Sequence, residues 1–394
     1  MGACRIVTIS KKIPLFKGED AANNVILVEL AEVGNRIVTG INTFKEGDQG
    51  LFIEPDYCLP NSNLFSEFHS PGGDPKKSKL GENGRIKAVK FNLHTGDGKP
   101  VYSYGILIPL NGDTIKDLLY RCIDITSEDL DKQLGITKYS PKTFSNNLEG
   151  SRKFPEGMYK TDEININNLW NDIEYPITLI GTQKVDGSSI TIYSKLNADG
   201  TRTNGICSRN LEISPTKMVI IGDRKMTLWE TIKTWFGKRV DTKIWEEQPN
   251  DNLFIKIGTP YLNKLIETCE IYGKSIALRG ELVGKESKGS GNKNNPNSTE
   301  DTHIKFYGAD TFEGDITVPM DEEGFNDIIS CLGFERCHKY FQRKFRYKPE
   351  IVRLCENIFK QESSNGRIIE GIVLRSPDSS FSAKYINLEY DSKY

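Results

Sequence analysis

The chain has 394 residues, of which 37% are hydrophobic and 27% are charged. This composition can form buried cores and excludes a disordered protein, and the length suits two or three domains. The 52 basic and 54 acidic side chains nearly cancel, which excludes a generally basic protein, so any nucleic-acid surface must be local.

The eight cysteines form no CxxC pair and are too sparse for a disulfide scaffold. They predict reduced thiols and an intracellular protein, cytoplasmic or nuclear. Four scattered histidines argue against a Cys/His zinc site. No stretch approaches about 20 apolar residues, so we expect no membrane-spanning helix and no membrane partner.

The first third of the chain is rich in strand signals. Short β-branched or aromatic runs bounded by polar turns predict strands at 4–9, 25–30, 36–42, 86–91 and 101–109. Residues 60–85 are rich in Ser, Gly, Pro, Lys and Asn and predict a long mobile loop. Short strands with long loops favour a small barrel such as an OB-fold, although a sandwich fits almost as well.

Helix and strand signals mix later in the chain. A helix is predicted at 127–134, and the aperiodic residues 136–155 predict a domain boundary. Further strands are predicted at 177–180, 188–195, 202–209, 275–283, 304–309 and 367–375. Further helices are predicted at 226–236, 260–272 and 351–359, and a polar loop is predicted at 285–302.

A KVDGSS motif at 184–189 directly follows an apolar strand. Partial burial of Lys184 would lower its pKa and favour the neutral, nucleophilic amine. Asp186 falls on the same face as Lys184 if the strand continues, and Gly187 allows a ligand to approach the backbone closely. Taken alone this is a weak signal, since a Lys-Asp pair at a strand end is more often a surface ion pair.

Four further motifs follow in order. The hairpin predicted from 188 to 209 returns Arg209 to the end that holds Lys184, where a guanidinium can bind phosphate or ribose. Glu281 (RGEL) and Glu370 (EGIVL) lie in apolar strands, where Glu is disfavoured unless it is paired or acts as a ligand. Lys384 (AKYIN) supplies another cation near the C-terminus.

These five residues resemble, in order, the motifs of the covalent nucleotidyltransferase superfamily, which comprises ATP-dependent RNA ligases, DNA ligases and mRNA capping enzymes. Roughly 150 residues precede the nucleotidyltransferase module that these motifs would define, and 10 residues follow Lys384. DNA ligases and capping enzymes usually carry an OB domain after the last motif, so this arrangement resembles the nick-sealing RNA ligase 5 family. LGITKY at 134–139 and KTDE at 160–163 also resemble segments of that family.

The resemblance implies an α+β protein with two domains. An OB-like β-barrel is expected at 1–145, followed at 150–394 by a mixed α/β nucleotidyltransferase domain that is ATP-grasp-like with antiparallel sheets. The protein is expected to be a monomer.

The resemblance also implies an ATP-dependent RNA ligase. Lys184 would form lysyl-AMP, AMP would pass to an RNA 5′-phosphate, and a 3′-hydroxyl would then displace it, in nicked duplexes with an RNA 3′-OH strand and in RNA repair. Asp186, Glu281 and Glu370 would hold Mg²⁺ or Mn²⁺ through water, and Lys384 would contact the α-phosphate. The ATP-binding residues would be Gln183, Asp186, Gly187, Arg209, Glu281, Tyr307 and Lys384.

The sequence departs from the ligase pattern at the aromatic residue that stacks on adenine. Ala309 stands where ligases place that residue, immediately before Asp310. Tyr307, two positions earlier on the same expected strand face, is the substitute, with Phe306 and Phe312 as alternatives.

Basic residues outside the motifs suggest contacts with RNA or ATP. The stretch 334–353 interleaves Arg and Lys with Phe and Tyr, which suits either a phosphate backbone or a solvated amphipathic face. Arg152, Lys153 and Lys160 are candidates for the triphosphate. Lys285, Lys288 and Lys293 are either RNA contacts or simply solvated.

Two other functions fit parts of the sequence. A DNA ligase or mRNA capping guanylyltransferase would share Lys184 and differ in strand or nucleotide preference. A catalytically inactive RNA-binding relative is disfavoured, because it has no reason to retain all five motif residues.

Overall fold

The computed structural model describes residues 3–127, 129–139, 150–160, 163–223, 225, 242–292 and 294–391. The helix predicted at 226–236, Lys293 and half of the predicted domain boundary, residues 140–149, lie outside these residues. The described helices are α1 (Ser66–His69), α2 (Gly112–Tyr120), α3 (Leu130–Gln133), α4 (Leu253–Tyr272), α5 (Glu322–Leu332), α6 (Lys348–Ser364) and α7 (Leu388–Asp391).

The strands of the first third are β1 (Cys4–Ile13), β2 (Leu15–Lys17), β3 (Asp20–Ala21), β4 (Val25–Leu30), β5 (Arg36–Gly40), β6 (Gln49–Ile53), β7 (Tyr57–Cys58), β8 (Val89–Thr95), β9 (Pro100–Ser103), β10 (Ile106–Pro109) and β11 (Thr137–Lys138). The later strands are β12 (Ser151–Lys153), β13 (Ile164–Asn165), β14 (Ile177–Lys184), β15 (Ser188–Leu196), β16 (Arg202–Ser208), β17 (Leu211–Ile213), β18 (Thr216–Asp223), β19 (Lys243–Pro249), β20 (Ile276–Val283), β21 (His303–Glu313), β22 (Ile316–Pro319), β23 (Lys339–Phe345), β24 (Gly371–Arg375) and β25 (Ser382–Ile386).

The first third forms a nearly closed barrel of five strands. Their order is β10-β6-β1-β4-β5, and β10 also approaches β5 at the other end of the sheet. Inward residues such as Val7, Val28 and Phe52 are fully buried in its core. The β-rich first third is therefore confirmed, within a mixed α+β protein.

Several predicted elements in this region were wrong in their bounds or nature. The strand expected at 101–109 is split into β9 and β10 at Gly105, whose φ of 113° interrupts the extended backbone. The loop expected at 60–85 contains α1 and short helical turns, and it buries Phe65 completely. The helix expected at 127–134 is the four-residue α3, and α2 was not predicted.

Two sheets dominate the rest of the protein. A seven-stranded antiparallel sheet has the order β12-β17-β16-β15-β20-β21-β22. A five-stranded sheet has the order β13-β25-β24-β14-β23, in which β13 runs parallel to β25. β18 and β19 pair as a separate ribbon.

Helices cover one face of each sheet. Ile190, Leu278 and Leu282 of the seven-stranded sheet join a core with α4 and α5. Leu179 and Ile372 of the five-stranded sheet join a second core with α6. Side chains alternate along a strand, so the residues between these apolar positions point to the face of each sheet that carries no helix. These two helix-free faces meet across a cleft.

The N-terminal barrel contacts the start of the second region. The Gly34 N–H donates to the Asn167 carbonyl at 2.9 Å, and the Asn171 side chain donates to the Glu32 carbonyl at 3.0 Å. Within the described ranges, no helix is both long and apolar enough to cross a membrane.

Candidate active site

Lys184 ends strand β14 on the face that lies away from helix α6. It pairs with Gly371 of β24, so its side chain reaches the residue just before that strand, Glu370. Lys184 Nζ lies 2.5 Å from Glu370 Oε1, with the two side chains 24% and 19% exposed. The structure thus brings together two motif residues that are 186 positions apart in the sequence.

The predicted fall in the Lys184 pKa is wrong for this structure. Burial by itself lowers the pKa of the ammonium, but Glu370, Glu281 and Asp186 together raise it above its ordinary value. Desolvation alone would lower this pKa, but the three carboxylates that converge on the amine reverse the direction. A nucleophilic Lys184 therefore needs other cations to offset these carboxylates.

Asp186 and Gly187 lie in the loop that follows β14, so Asp186 does not continue the strand as expected. Its carboxylate is held by Tyr390, whose hydroxyl donates to Oδ2 at 2.6 Å. A Cβ on Gly187 would lie 2.4 Å from the Leu282 carbonyl and 2.9 Å from Glu281 Cγ. Only glycine lets this loop pass so close to strand β20.

Glu281 faces the cleft from the opposite sheet. It lies in β20, directly across from Ser189 in β15 and Lys305 in β21. Burial raises its pKa to about 8, Lys184 acts in the opposite direction, and the nearby carboxylates Glu370, Asp186 and Glu163 raise it further. Carboxylates therefore outnumber cations around Lys184.

Lys384 lies in β25 on the same sheet face as Lys184. Burial lowers its pKa, and the positive charge of Lys184 lowers it further. Lys138, in β11 of the N-terminal region, also has a lowered pKa, through burial and then through the charges of Lys384 and Arg209. Lys138 was not predicted as a site residue, although its surrounding LGITKY segment was noted.

Arg209 follows β16 and lines a cavity of about 160 Å³. The hairpin pairs Ile190 with Ser208, as the sequence predicted. The cavity combines aromatic, cationic and hydroxyl side chains, namely Phe154, Tyr159, Lys160, Ser189, Thr191, Ser208, Arg209 and Asn210. The Lys160 ammonium also lies 4.7 Å from the centre of the Phe154 ring.

Tyr307 occupies a β-bulge. Arg279 pairs with Gly308 and Gly280 with Phe306, which leaves Tyr307 as the extra residue. Tyr307 packs against the cluster of Val185, Val283 and Cys337, whereas Ala309 packs in the core under helices α4 and α5. The expectation that Tyr307 and Ala309 share a face was therefore wrong, because it assumed an unbroken strand.

The other candidates for an adenine contact are constrained by their positions. Phe306 is fully buried against Tyr261 and Phe334, away from the cleft. Phe312 lies beside Tyr193, with ring centres 6.3 Å apart. Gln183 pairs with Ile372, so its side chain is on the α6 face and only its backbone can contribute to the cleft.

The structure adds an arginine and a glutamate that sequence reasoning did not single out. Arg375, at the end of β24, pairs with Glu163, and its guanidinium lies 5.0 Å from the centre of the Tyr307 ring. Burial opposes ionisation of Glu163, but Arg375 brings its pKa below the usual range. Arg375 directly follows the EGIVL motif and Glu163 ends the KTDE segment, so both residues lay at or beside segments that the sequence had already indicated.

The basic stretch 334–353 divides between a strand and a helix. β23 is the outermost strand of its sheet and pairs with β14. Phe345 is buried, whereas Arg343, Lys344 and Arg346 are exposed. Phe345 thus serves the core although Tyr347 is exposed, and Arg343, Lys344 and Arg346 form an exposed surface next to the strand of Lys184.

The candidate metal ligands do not form a direct cluster. Among the described residues, no group of three or more His, Cys, Asp and Glu side chains is arranged to hold a metal ion. The surplus of carboxylates around Lys184 suits a hydrated cation, whose water molecules span the longer distances.

A family model described as RNA ligase matches residues 177–386, more than half of the chain. The chain belongs to the RNA ligase family. This confirms the family and the enzyme class that the motifs indicated. A search of curated proteins by sequence finds no match.

Solved structures of an RNA ligase from Naegleria gruberi share the fold. A glutamate-to-alanine variant with AMP and Mn has a TM-score of 0.69 and 20% identity, covering 100% of this chain and 99% of that one. A lysine-to-alanine variant with ATP and Mn has a TM-score of 0.67 and 20% identity, covering 100% and 99%. The protein with PPi also has a TM-score of 0.67 and 20% identity, covering 99% and 98%.

Proposed function

We propose that this RNA ligase is ATP-dependent and joins RNA 3′-hydroxyl and 5′-phosphate ends through a lysyl-AMP on Lys184. The observation that carries the proposal is the position of Lys184. It faces a cleft between two sheets, in contact with Glu370 and on the same sheet face as Lys384. A half-buried amine beside a second lysine, with carboxylates that can bind a cation, suits attack on a phosphate.

In the first step, Lys184 Nζ loses a proton and attacks the α-phosphorus of ATP. A P–N bond forms, the bond to the bridging oxygen breaks, and pyrophosphate leaves. Lys384 stabilises the charge that develops on the α-phosphate oxygens, because its side chain shares the cleft face with Lys184. Lys138 adds a cation from the N-terminal region.

The carboxylate groups of Asp186, Glu281 and Glu370 would hold a hydrated Mg²⁺ or Mn²⁺. The fit rests on the negative charge that these three carboxylates place around Lys184, together with the absence of a direct ligand cluster among the described residues, which favours contact through water. When bound, the cation favours the neutral amine of Lys184 and neutralises phosphate charge. The Naegleria gruberi structures with Mn support this assignment by analogy.

The nucleoside would bind beside the lysine. Tyr307 packs against the cluster of Val185, Val283 and Cys337, and we therefore assign it as the aromatic residue that stacks on adenine. The backbone of Gln183 and the close-packed loop at Gly187 would shape the pocket. Arg209 and Lys160, which line the neighbouring cavity, suit ribose or phosphate.

In the second step, an RNA 5′-phosphate oxygen attacks the AMP phosphorus and the P–N bond to Lys184 breaks. In the third step, the 3′-hydroxyl loses its proton and attacks the activated 5′-phosphate, releasing AMP. The exposed cations Arg343, Lys344 and Arg346 lie near the strand of Lys184 and suit the phosphates of a nicked duplex.

We further propose an OB-like barrel domain at 1–145 and a nucleotidyltransferase domain at 150–394, as in the RNA ligase 5 family. The nearly closed five-strand barrel and the full-length similarity to the Naegleria gruberi ligase support this division. An RNA repair role and a monomeric state belong to the same proposal.

Two assays test the proposal. Wild-type protein should become labelled by ATP carrying a label on its α-phosphate, and not by the GTP counterpart, whereas Lys184→Ala should not be labelled. Wild-type protein should also seal nicks that have an RNA 3′-OH better than nicks that have a DNA 3′-OH. Labelling of Lys184→Ala would contradict the assignment of the nucleophile, and preference for GTP or a DNA nick would support the capping or DNA ligase alternative.

A further inference from the structure

The segment from Asn387 to Tyr390 contacts both Asp186 and Glu370. Tyr390 is 2% exposed, and its hydroxyl donates to Asp186 Oδ2 at 2.6 Å. A buried tyrosine hydroxyl normally finds a polar partner, and here that partner is a cleft carboxylate. The contact fixes Oδ2 of the Asp186 carboxylate.

Asn387 holds the backbone on either side of Glu370. Its side-chain amide donates to the Ile369 carbonyl at 3.0 Å, and its backbone N–H donates to the Glu370 carbonyl at 2.9 Å. Asn387 is 7% exposed, so water competes little for these contacts. The position of Glu370 is thus set from the same short segment that holds Asp186.

Hydrogen bonds within the segment join Glu389 and Tyr390 to Asn387. The Asn387 side-chain oxygen accepts from the Glu389 N–H at 3.1 Å, and its carbonyl accepts from the Tyr390 N–H at 3.0 Å. These bonds make a compact turn, so Asn387 and Tyr390 move together. The two cleft carboxylates are therefore linked through four residues of backbone.

A loop of the other sheet reinforces Tyr390 and Asp186. Asn294 donates to the Tyr390 carbonyl at 3.2 Å, and Asn295 donates to the Asp186 carbonyl at 2.9 Å. A Cβ on Gly289 would lie 2.4 Å from the Asp186 carbonyl, so this loop packs directly on the loop after β14 that holds Asp186 and Gly187. Part of the predicted 285–302 loop is thus buried and hydrogen-bonded to Tyr390 and Asp186.

We propose that Tyr390 and Asn387 are positioning residues that hold Asp186 and Glu370 at the separation a hydrated metal ion requires. The proposal rests on the proposed function, because it assigns the metal to these carboxylates. Hydrogen-bond partners of metal-binding carboxylates orient them, and their loss typically weakens metal affinity by about 10- to 100-fold.

The test compares Tyr390→Phe with Tyr340→Phe. Each change removes one hydroxyl that donates to a carboxylate, but Tyr340 donates to Glu362 at 3.1 Å in the core on the opposite face of the sheet. The measurement is the binding of Mn²⁺, followed by electron paramagnetic resonance, in the presence of α,β-methylene-ATP, which cannot release pyrophosphate. Thermal unfolding and the Mn²⁺ dependence of adenylylation are measured on the same samples.

We expect Tyr390→Phe to bind Mn²⁺ about tenfold more weakly, with adenylylation restored by raised Mn²⁺. Tyr340→Phe should bind Mn²⁺ like wild type, even where its thermal stability falls. Asn387→Ala should repeat the Tyr390→Phe result and serves as the second variant if Tyr390→Phe does not fold. Wild-type Mn²⁺ binding in the folded Tyr390 or Asn387 variants, or equal weakening in Tyr340→Phe, would overturn the proposal.

The same samples separate this proposal from the proposed function. If wild-type protein forms no lysyl-AMP, the proposed function fails. If wild-type protein forms it and Tyr390→Phe matches wild type in Mn²⁺ affinity, only the positioning roles fail.

Discussion

Two ion pairs lie on the inner faces of the sheets, one fully buried and one partly exposed, and their surroundings differ. Arg279 and Asp310 face each other at 2.8 Å, with side chains 6% and 2% exposed, as one cation and one anion. Lys184 and Glu370 form a similar contact, but Asp186 and Glu281 add negative charge beside them. The first pair is balanced and holds β20 to β21. The second has a surplus of carboxylate, which suits a site that receives a metal ion and phosphates.

The comparison predicts that removing the carboxylate of the Lys184–Glu370 pair lowers the rate of adenylylation, whereas removing that of the Arg279–Asp310 pair lowers stability. Glu370→Ala should lower the rate of adenylylation by about a thousandfold, because charge stabilisation in the reacting complex is lost. Its free energy of unfolding should change little, since Lys184 keeps Asp186 and Glu281 nearby. Single-turnover labelling and chemical denaturation measure the two quantities. Near-normal labelling of Glu370→Ala at ordinary metal concentrations would contradict a role for Glu370 in adenylylation.

Asp310→Asn should instead act on stability. It leaves the buried Arg279 without its ion-pair partner, which should lower the free energy of unfolding by about 3 kcal/mol. Labelling per folded molecule should fall far less than in Glu370→Ala. The matched control replaces both partners, Arg279→Met with Asp310→Leu, and should recover much of the stability. A large loss of labelling in Asp310→Asn with unchanged stability would contradict the assignment of the Arg279–Asp310 pair to stability.

Tyr307→Ala tests whether the bulge in β21 serves the same site. Loss of a stacking partner for a base costs about 1 to 2 kcal/mol, so the KM for ATP should rise roughly tenfold or more. Tyr307→Phe should retain most of the affinity, because it keeps the ring. Phe312→Ala is the comparison variant, and a larger increase in KM there would transfer the stacking role to Phe312.

Lys138→Ala should have the smallest effect. Lys138 is largely exposed, so the burial that lowers its pKa is only partial, and it acts through its charge near Lys384. Its loss should therefore cost about 1 kcal/mol or less and raise the KM for ATP severalfold. The difference from wild type should shrink as salt is added, because salt screens exposed charges. An effect that does not depend on salt would indicate a structural role.

Local sequence patterns predicted the elements that carry the motifs. The apolar run before Lys184, the hairpin at 188–208 and the strand around Glu281 are present, because each depends on strand patterning and on turn residues. The order of the five motif residues led to the RNA ligase family, which the family comparison confirms.

The remaining features depend on tertiary contacts that no local pattern contains. Tyr390 contacts Asp186 across 204 positions of sequence, and Lys138 approaches Lys384 from the N-terminal region. The bulge at Tyr307 changes which residues face the cleft, although the surrounding sequence reads as an ordinary strand. The direction of the Lys184 pKa shift also required knowing how many carboxylates converge on it.

The most direct measurement is to locate AMP on the wild-type protein. After incubation with ATP and Mn²⁺ without RNA, peptide mapping by mass spectrometry should find AMP on Lys184 through an acid-labile P–N bond. Adding pyrophosphate should remove it and regenerate ATP. AMP attached to Lys384, Lys138 or any other residue, or no covalent AMP, would contradict the assignment of Lys184 as the nucleophile.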